Sequence, residues 1–403
     1  MYEPVLGPFP NSEPAPPRAR GRHLLTPMHL LSILTAIAAL AGIGYYWLCL
    51  SGARDFLETK PAAPTFAPAV SILKPLRGTD PEMYQAFRSH CLQDYPEYEL
   101  IFGVSDPADP AAALVAQLQG EFPDRHIKLV LCDRLLGPNG KVSNLVHMLA
   151  QARFDFLLVN DSDILVPPDY LRRVLAPFAD PQVGMVTCLY RGLAGTTLGS
   201  RLESVGIATD FSAGVLAARI LQGVKFGLGS TLAFRREDLA RIGGFEPLVD
   251  YLADDYQLGA RIAALGKQVI VSDVVVDHHL PDYSLREFFR HQMRWARAIR
   301  DSRKLDYLGL AATFGLPWAL FALLFARGAG WAWLLFCIVC VTRFWLAMFM
   351  ARVLKQPLAL AGYLLIPVRD LAALFVWIAS FFGHTIHWRG LEFRLKDGKL
   401  YSR

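Results

Sequence analysis

The chain of 403 residues has few cysteines and little charge, and each shortage excludes a class of protein. Its six cysteines are scattered too widely to form a disulfide framework or a zinc quartet. A net charge of +5 is small for a nucleic-acid binder, and no zinc-finger or RNA-binding motif is present, so we expect no nucleic-acid partner. Charged residues make up 19% and hydrophobic residues 53%, which argues against a disordered chain and against a fully soluble one.

Common catalytic signatures are also missing. No Gly-x-Gly-x-x-Gly sequence indicates a dinucleotide site, and no Gly-x-Ser-x-Gly sequence indicates a hydrolase nucleophile. Lys141 follows Gly140 at a turn that opens a predicted helix, but the other residues of a P-loop are absent. Lys141 is therefore a candidate phosphate contact outside the P-loop class.

Apolar runs long enough to cross a bilayer divide the chain into units. The predicted membrane segments are His29–Leu50, Tyr307–Ala326, Trp331–Met350 and Pro357–Phe382. Arg369 and Asp370 interrupt the last run, which predicts either one long kinked helix or an interfacial segment followed by a short span. The predicted units are a disordered tail (1–27), a transmembrane helix (28–50), a linker (51–69), an α/β catalytic domain (70–284), a basic amphipathic interfacial helix (285–306), membrane helices with two to three spans (307–383) and a basic C-terminal tail (384–403).

Residues 70–284 alternate strand-like runs with helix-like segments. Val70–Leu73, Leu100–Val104 and Phe156–Val159 are examples of the strands, and Ala111–Phe122 and Val142–Ala152 of the helices. Such alternation predicts an α/β domain with a mostly parallel sheet covered on both faces.

Two aspartates follow the strand Phe156–Val159 directly. Asp161 and Asp163 are two residues apart, so their side chains point the same way at a strand end. Two converging carboxylates are costly without a cation, and hard oxygen ligands suit Mg²⁺ or Mn²⁺ bridging to substrate phosphates. The alternative is a helix N-cap or turn, because prolines follow soon after. The position at the carboxyl end of a buried strand favours the metal site.

A second acidic pair, Asp254 and Asp255, precedes a predicted helix. Acids at a helix start favour the macrodipole, which is the structural alternative. A general base needs a carboxylate within reach of a hydroxyl proton, so both residues are candidates for that role.

A basic amphipathic segment precedes the second predicted membrane run. Its basic residues recur at three- or four-residue steps with aromatic residues between them, and it contains His291, Arg294 and Trp295. The structural alternative is a helix held at the membrane surface by anionic lipid. The functional interpretation adds that Arg294 contacts a diphosphate.

The order of these motifs resembles the processive-type GT-A glycosyltransferases, and more closely the ceramide glucosyltransferase family with its bacterial relatives of hopanoid biosynthesis. The resemblance runs from about Val70 to Arg303 and includes the flanking apolar runs. The matching pieces are Lys74-Pro75-Leu76-Arg77-Gly78, Asp106, Gly140-Lys141, Asp161-Ser162-Asp163, Asp254-Asp255-Tyr256 and Arg294-Trp295. It implies an α/β GT-A (Rossmann-like) nucleotide-diphospho-sugar transferase domain with transmembrane helices.

The resemblance also implies roles for single residues. Asp106 would lie by the uridine of a UDP-sugar, and Asp161 and Asp163 would hold the diphosphate through Mg²⁺ or Mn²⁺. Asp255 would be the general base, and Arg294 and Trp295 would close over the diphosphate and acceptor. The other implied substrate-binding residues are Lys74, Pro75, Lys141, Asp254 and His291, the last at a position where the family usually has Gln or Arg.

The implied function is the inverting transfer of a sugar, glucose or N-acetylglucosamine, from a UDP-sugar to the hydroxyl of a membrane lipid that is ceramide-like or a hopanoid. The alternatives are a processive polysaccharide synthase and a catalytically inactive, nucleotide-binding membrane scaffold. Asn160 begins a glycosylation sequon, and a sugar attached there would block the predicted metal site. Together with the reduced thiols, this predicts a catalytic domain on the cytoplasmic side of a bacterial inner membrane or of the ER or Golgi. The sequence leaves the oligomeric state open.

Overall fold

The computed structural model describes residues 7, 26–61, 63, 65–388 and 390–402. The predicted disordered tail lies almost wholly outside the described residues. The main sheet contains β1 (Val70–Pro75), β2 (Tyr98–Val104), β3 (Ile127–Leu131), β4 (Phe156–Val159), β5 (Ile164–Leu165), β6 (Val183–Leu193), β7 (Leu232–Arg235) and β8 (Gln268–His279). A second sheet contains β9 (Thr385–Trp388), β10 (Leu391–Lys396) and β11 (Lys399–Ser402).

The helices fall into a group beside the main sheet and an apolar group. Those between or beside the strands are α2 (Met83–Cys91), α3 (Pro110–Glu121), α4 (Gly140–Leu149), α5 (Tyr170–Leu175), α6 (Leu198–Gly206), α7 (Ser212–Gln222), α8 (Arg236–Arg241), α9 (Asp254–Ala264) and α10 (Leu285–Ser302). The others are α1 (Pro27–Glu58), α11 (Lys304–Gly309), α12 (Gly315–Phe325), α13 (Gly330–Val353) and α14 (Leu360–Ser380).

The main sheet has the strand order β3-β2-β1-β4-β7-β6-β8-β5. β1 runs parallel to β2 and β4, while β7 is antiparallel to both β4 and β6, and β8 is parallel to β6. The carboxyl ends of β1, β2, β4, β6 and β8 therefore share one edge, which we call the carboxyl edge. The predicted α/β class is confirmed, and β4 has the predicted bounds.

The sheet is buried on both faces, as predicted. Leu157 and Val159 face one hydrophobic core, and Leu158 between them faces the other. The alternation follows from the two-residue period of a strand. β4 is thereby held between two packed layers. This packing fixes the position of its carboxyl end, from which the next residues continue.

The first apolar helix is longer than the sequence predicts. α1 continues to Glu58, past the predicted end at 50, so the first part of the predicted linker is helical. Gly42 of α1 lies directly against Gly315 of α12, where a Cβ at Gly42 would be 2.3 Å from the Gly315 Cα. Small residues of this kind let two apolar helices approach closely.

The second predicted membrane run is broken. Residues 304–313 and 315–325 are helical but meet at a bend of 57° near Phe314. By contrast α14 is a single helix with Pro367 inside it, which is the first of the two predicted alternatives. Its Asp370 accepts a two-pronged hydrogen bond from Arg343 of α13 at 2.7 and 2.8 Å, so the charges inside these helices are paired.

Among the described residues, four helical segments are long and apolar enough to cross a membrane. They are Pro27–Glu58, Leu198–Gln222, Gly330–Val353 and Leu360–Ser380. The sequence did not predict the second, which is α6 and α7 joined by a π-helical turn at Ile207–Phe211. This segment packs between the main sheet and helices α1, α13 and α14.

The structure adds detail to two predicted segments of the C-terminal part. The predicted basic tail forms β9 to β11, with Phe393 and Leu395 packed against Leu252 and Ala298. The predicted basic amphipathic helix is α10, and its Arg300 donates to the carbonyl oxygens of Ser380 and Gly383 at the end of α14. Arg297 likewise donates to the carbonyl oxygens of Phe382 and Thr385. Protein contacts thus fix the orientation of α10.

Candidate active site

The segment after β4 is fixed by Asn160, which has no exposed surface. Its side-chain nitrogen donates to the Tyr170 hydroxyl at 3.0 Å and to the Ser230 carbonyl oxygen at 2.6 Å. Its side-chain oxygen lies 3.1 Å from His90 Nε2. The sequon amide is therefore occupied inside the protein, and the chain leaves β4 in one direction at the carboxyl edge.

Asp161 lies at this edge between two lysines. Lys141, at the first turn of α4, places its Nζ 2.7 Å from Asp161 Oδ1. Lys74 is wholly buried at the end of β1 and donates to the Asp161 backbone oxygen at 3.1 Å. Burial lowers the pKa of Lys74 to about 7, although Asp163 and Asp161 oppose the shift. Lys74 thus has no exposed surface in this structure and holds the backbone of Asp161, and its contact with substrate stays a prediction.

Asp163 is paired with a histidine that the sequence interpretation missed. His278, near the end of β8, places Nε2 2.9 Å from Asp163 Oδ2. Burial alone would lower the pKa of His278, but Asp163 and Asp161 raise it to about 9, so the imidazole is a cation at neutral pH. The sequence did contain an indication of this role, because His278 comes at the end of an apolar run that reaches the carboxyl edge. Its pairing with Asp163 depends on the antiparallel contact of β5 with β8.

Asp161 and Asp255 approach each other across Gly229. The Gly229 N–H donates to Asp255 Oδ2 at 3.0 Å, and the Gly229 carbonyl accepts from the Asp161 N–H at 3.2 Å. A Cβ at Gly229 would lie 2.6 Å from Asp161 Oδ2 and 3.5 Å from Asp255 Oδ2. Gly229 therefore permits both carboxylates to face one space, and it was not predicted as a site residue.

The two acids at the start of α9 have different environments. Asp254 is buried and lies 3.3 Å from Lys141 Nζ, and Asn139 donates to it at 3.4 Å. Asp255 accepts only from backbone N–H groups among its described hydrogen bonds, those of Gly229 and Tyr256. Burial and the neighbouring Asp254 raise the pKa of Asp255 to about 6, and Lys141 partly opposes the shift. Asp255 therefore combines a partly accessible carboxylate with a pKa near neutral.

Aromatic contacts connect this edge to α10. The Tyr190 ring lies 5.7 Å from that of His278 and 5.4 Å from that of Phe211, which in turn lies 5.8 Å from Trp295. Trp295 lies 5.0 Å from His291. The predicted residues His291 and Trp295 are thus linked to Asp163 through packed rings, and Phe211 is supplied by the π-helical turn.

Arg294 is on the same helix as His291 and Trp295. Burial raises the pKa of the nearby Tyr283 hydroxyl, with Glu203 adding to the shift and Arg294 opposing it. The Tyr283 ring stacks on His291 at 5.5 Å. Arg294 therefore lies beside the aromatic group that borders the site.

Asp106 and Pro75 occupy the same edge, further from the acids. Asp106 follows β2 and is exposed, and its Oδ1 accepts from the Ala108 N–H at 2.8 Å. Pro75 is the last residue of β1 and is buried. Pro75 therefore shapes the strand end, whereas Asp106 keeps its second oxygen available to a ligand.

The carboxylates suit a divalent ion that shares its ligands with substrate. In the part of the chain that the structure describes, no group of three His, Cys, Asp or Glu side chains could hold a metal by itself. Mg²⁺ is commonly bound by one or two carboxylates together with substrate phosphates. The Asp161 side chain is 43% exposed, so its oxygens are accessible to such an ion.

Residues 34–401 match the model of Glycosyl transferase family 21. The chain belongs to this family. The predicted resemblance to ceramide glucosyltransferases is thereby confirmed.

Two relatives and one solved structure illustrate the likeness. Ceramide glucosyltransferase 1 of Caenorhabditis elegans is 26% identical over 231 residues, which cover 57% of this chain and 49% of the relative. The ceramide glucosyltransferase of Komagataella phaffii is 29% identical over 168 residues, 41% of this chain and 32% of the relative. The chain thus spans about half of these relatives or less.

The solved structure is a mannosyltransferase from Pyrobaculum calidifontis in complex with GDP-Man and Mn²⁺. It matches with a TM-score of 0.58 at 22% identity and covers 88% of this chain and 99% of that chain. The predicted GT-A fold is confirmed by this likeness.

Proposed function

We propose that this member of family 21 transfers a sugar from a UDP-sugar to the hydroxyl of a membrane lipid. The observation that carries the proposal is the approach of Asp161 and Asp255 to one space at the carboxyl edge, across Gly229. Asp161 is adjacent to cationic groups suited to a diphosphate, and Asp255 is suited to accept a proton. The relatives named ceramide glucosyltransferases support a lipid acceptor, with a ceramide-like or a hopanoid body.

The diphosphate would bind beside Asp161 and Asp163. Lys141, whose pKa Asp161 and Asp254 raise above its usual value against the effect of burial, stays charged next to it. We propose that Asp161 and Asp163 also hold Mg²⁺ or Mn²⁺, which when bound stabilises the negative charge of the leaving UDP. Arg294 contributes a further positive charge, and Trp295 covers the site from α10.

Asp255 accepts the proton of the acceptor hydroxyl as the oxygen attacks the anomeric carbon. The C–O bond to UDP breaks as the bond to the lipid oxygen forms, so one displacement inverts the anomeric centre. This assignment prefers Asp255 to Asp254, because the Asp254 carboxylate is engaged by Lys141 and Asn139. Asp254 instead positions Lys141.

The apolar helices support placement in a membrane as a multi-pass protein. The π-helical turn brings Phe211 to Trp295 on one side and contacts α13 on the other. A lipid lying beside these helices would need only a short displacement to present its hydroxyl to Asp255. We infer that the catalytic domain lies on the cytoplasmic side, as the thiols and the sequon suggest.

The test is incubation of the purified full-length chain with UDP-glucose or UDP-N-acetylglucosamine and ceramide or hopanoid lipids, followed by mass spectrometry of the lipids. We expect one sugar per acceptor; a ladder of products would instead indicate a polysaccharide synthase. The variant Asp255→Asn should lose turnover by about 10²- to 10⁴-fold, the usual contribution of a general base, while binding UDP normally. Unchanged turnover in this variant would refute the base assignment.

A further inference from the structure

Glu203 is a buried carboxylate that the proposed chemistry does not use. It lies on α6 with 1% of its surface exposed. Its Oε2 accepts from Gln292 Nε2 at 2.8 Å, and its Oε1 lies 3.2 Å from His291 Nδ1. A buried carboxylate is costly unless its partners are well placed. Both carboxylate oxygens thus face consecutive residues of α10: Gln292 through a hydrogen bond, and His291 through charge proximity without hydrogen-bond geometry.

The same two residues fix the face of α10 that carries Arg294 and Trp295. His291 stacks on Tyr283 and packs against Trp295, which is one helical turn further along. Gln292 Oε1 accepts from Arg369 of α14 at 2.9 Å, which locks Gln292 from the other side. Rotation or sliding of α10 would break the Glu203 contacts and move Trp295 together with His291.

We propose that Glu203 is a positioning residue: it sets the rotation and axial position of α10 so that Arg294 and Trp295 reach the diphosphate. This inference rests on the proposed function of the site. Glu203 itself touches no substrate in this account. It acts through His291 and Gln292, and Arg369 supports the same arrangement from α14.

The test is a thermodynamic cycle between Glu203 and the pair Arg294 and Trp295, read by kcat, by KM for the UDP-sugar and by the dissociation constant for UDP. Loss of positioning of this kind costs on the order of 10²-fold, so Glu203→Ala should lower kcat/KM by about that factor. In an Arg294→Ala, Trp295→Ala background the same change should cost less than about threefold, because both groups that Glu203 positions are already gone. Equal losses in the two backgrounds would overturn the proposal.

Two further variants distinguish a loss of positioning from a loss of folding. Glu203→Gln is nearly isosteric, and it can still accept from Gln292, so it should fold and lie between wild type and Glu203→Ala in kcat/KM. The matched control is Glu99→Gln, which removes another buried carboxylate, bonded to Ser71 and Arg153 far from α10. It should lower the melting temperature and leave kcat/KM unchanged. If Glu203→Gln and Glu99→Gln both lower only stability, Glu203 is structural and the proposal fails.

UDP binding and sugar transfer by the wild-type chain separate a failure of this proposal from a failure of the proposed function. If the wild-type chain binds UDP but transfers no sugar to lipid, the proposed function fails, and the cycle is then run on UDP affinity alone. Non-additive losses of UDP affinity would still support positioning by Glu203, whereas additive losses would refute it.

Discussion

At the residue scale, the two neighbouring acids of α9 differ in what surrounds them. Asp254 contacts Lys141 and Asn139, whereas Asp255 accepts from backbone N–H groups and has a pKa raised to about 6 by burial and by Asp254. A base works in its ionised form, so activity is present above this pKa and is lost as the pH falls through it.

The pH dependence gives a direct test of this pairing. We expect kcat/KM of the wild-type protein to fall below about pH 6, the value to which the pKa of Asp255 is raised. In Asp254→Asn the fall should occur at lower pH, because removing a neighbouring negative charge lowers the pKa of Asp255. Steady-state pH profiles measure both. The control is Asp94→Asn, an exposed residue whose salt bridge among the described residues is to Arg172. An acid limb that stays in place or moves to higher pH would contradict the account.

Some site residues could be predicted from the sequence and others could not. Asp161 and Asp163 directly follow a strand of apolar residues, so local pattern alone puts them at the carboxyl edge. His278 and Glu203 become neighbours of the site only through β8 and α6, which are distant in sequence. Lys74 ends an apolar strand, so the sequence alone places it at the carboxyl edge, but its burial and its hydrogen bond to the Asp161 backbone depend on tertiary packing.

At the element scale, the bounds and contacts of the helices determine how the apolar runs pack against one another. Gly42 and Gly44 are close together on α1, but only Gly42 faces α12. A Cβ at Gly42 would lie 2.3 Å from the Gly315 Cα, whereas one at Gly44 would meet no atom within 4 Å. The sequence shows two glycines in an apolar helix and does not distinguish them.

This pair offers a matched test of the α1–α12 contact. Gly42→Ala should force the two helices apart and lower the melting temperature of the protein in detergent. Gly44→Ala should leave it unchanged or raise it slightly, because alanine is the better helix former. Equal effects of the two substitutions would show that this contact does not stabilise the fold.

The pair of Arg343 and Asp370 joins α13 to α14. The Arg343 side chain is buried, and it also donates to Thr209 in the π-helical turn. Breaking a buried pair leaves one charge without its partner, at a cost of about 3–5 kcal/mol.

We therefore expect Arg343→Met to be strongly destabilising in denaturant titrations in detergent, and Arg343→Met combined with Asp370→Leu to recover most of the loss. Arg352→Met, at an exposed position near the end of α13, is the control and should have little effect. A double variant as unstable as Arg343→Met alone would argue against uncompensated charge as the cause.

At the scale of the whole molecule, the alternation of strands and helices was sufficient to predict an α/β domain. The C-terminal sheet was missed because its strands are short, and its apolar side chains, such as Phe393 and Leu395, become informative only when they pack on Leu252 and Ala298. The segment Leu198–Gln222 was likewise not predicted as a long apolar helix, because its regular pattern is interrupted by a π-helical turn.

The whole molecule thus joins the proposed nucleotide-sugar site, bordered by α10, to helices long and apolar enough to cross a bilayer. The central claim is that Asp161 and Asp163 bind the donor together with a divalent ion. The most direct measurement is calorimetry of UDP-sugar binding to the purified full-length protein, with Mn²⁺ or Mg²⁺ and with a chelator. We expect tight binding only with the ion, and loss of this dependence in Asp161→Asn and Asp163→Asn. Equal donor affinity of the wild-type protein with ion and with chelator would contradict the claim.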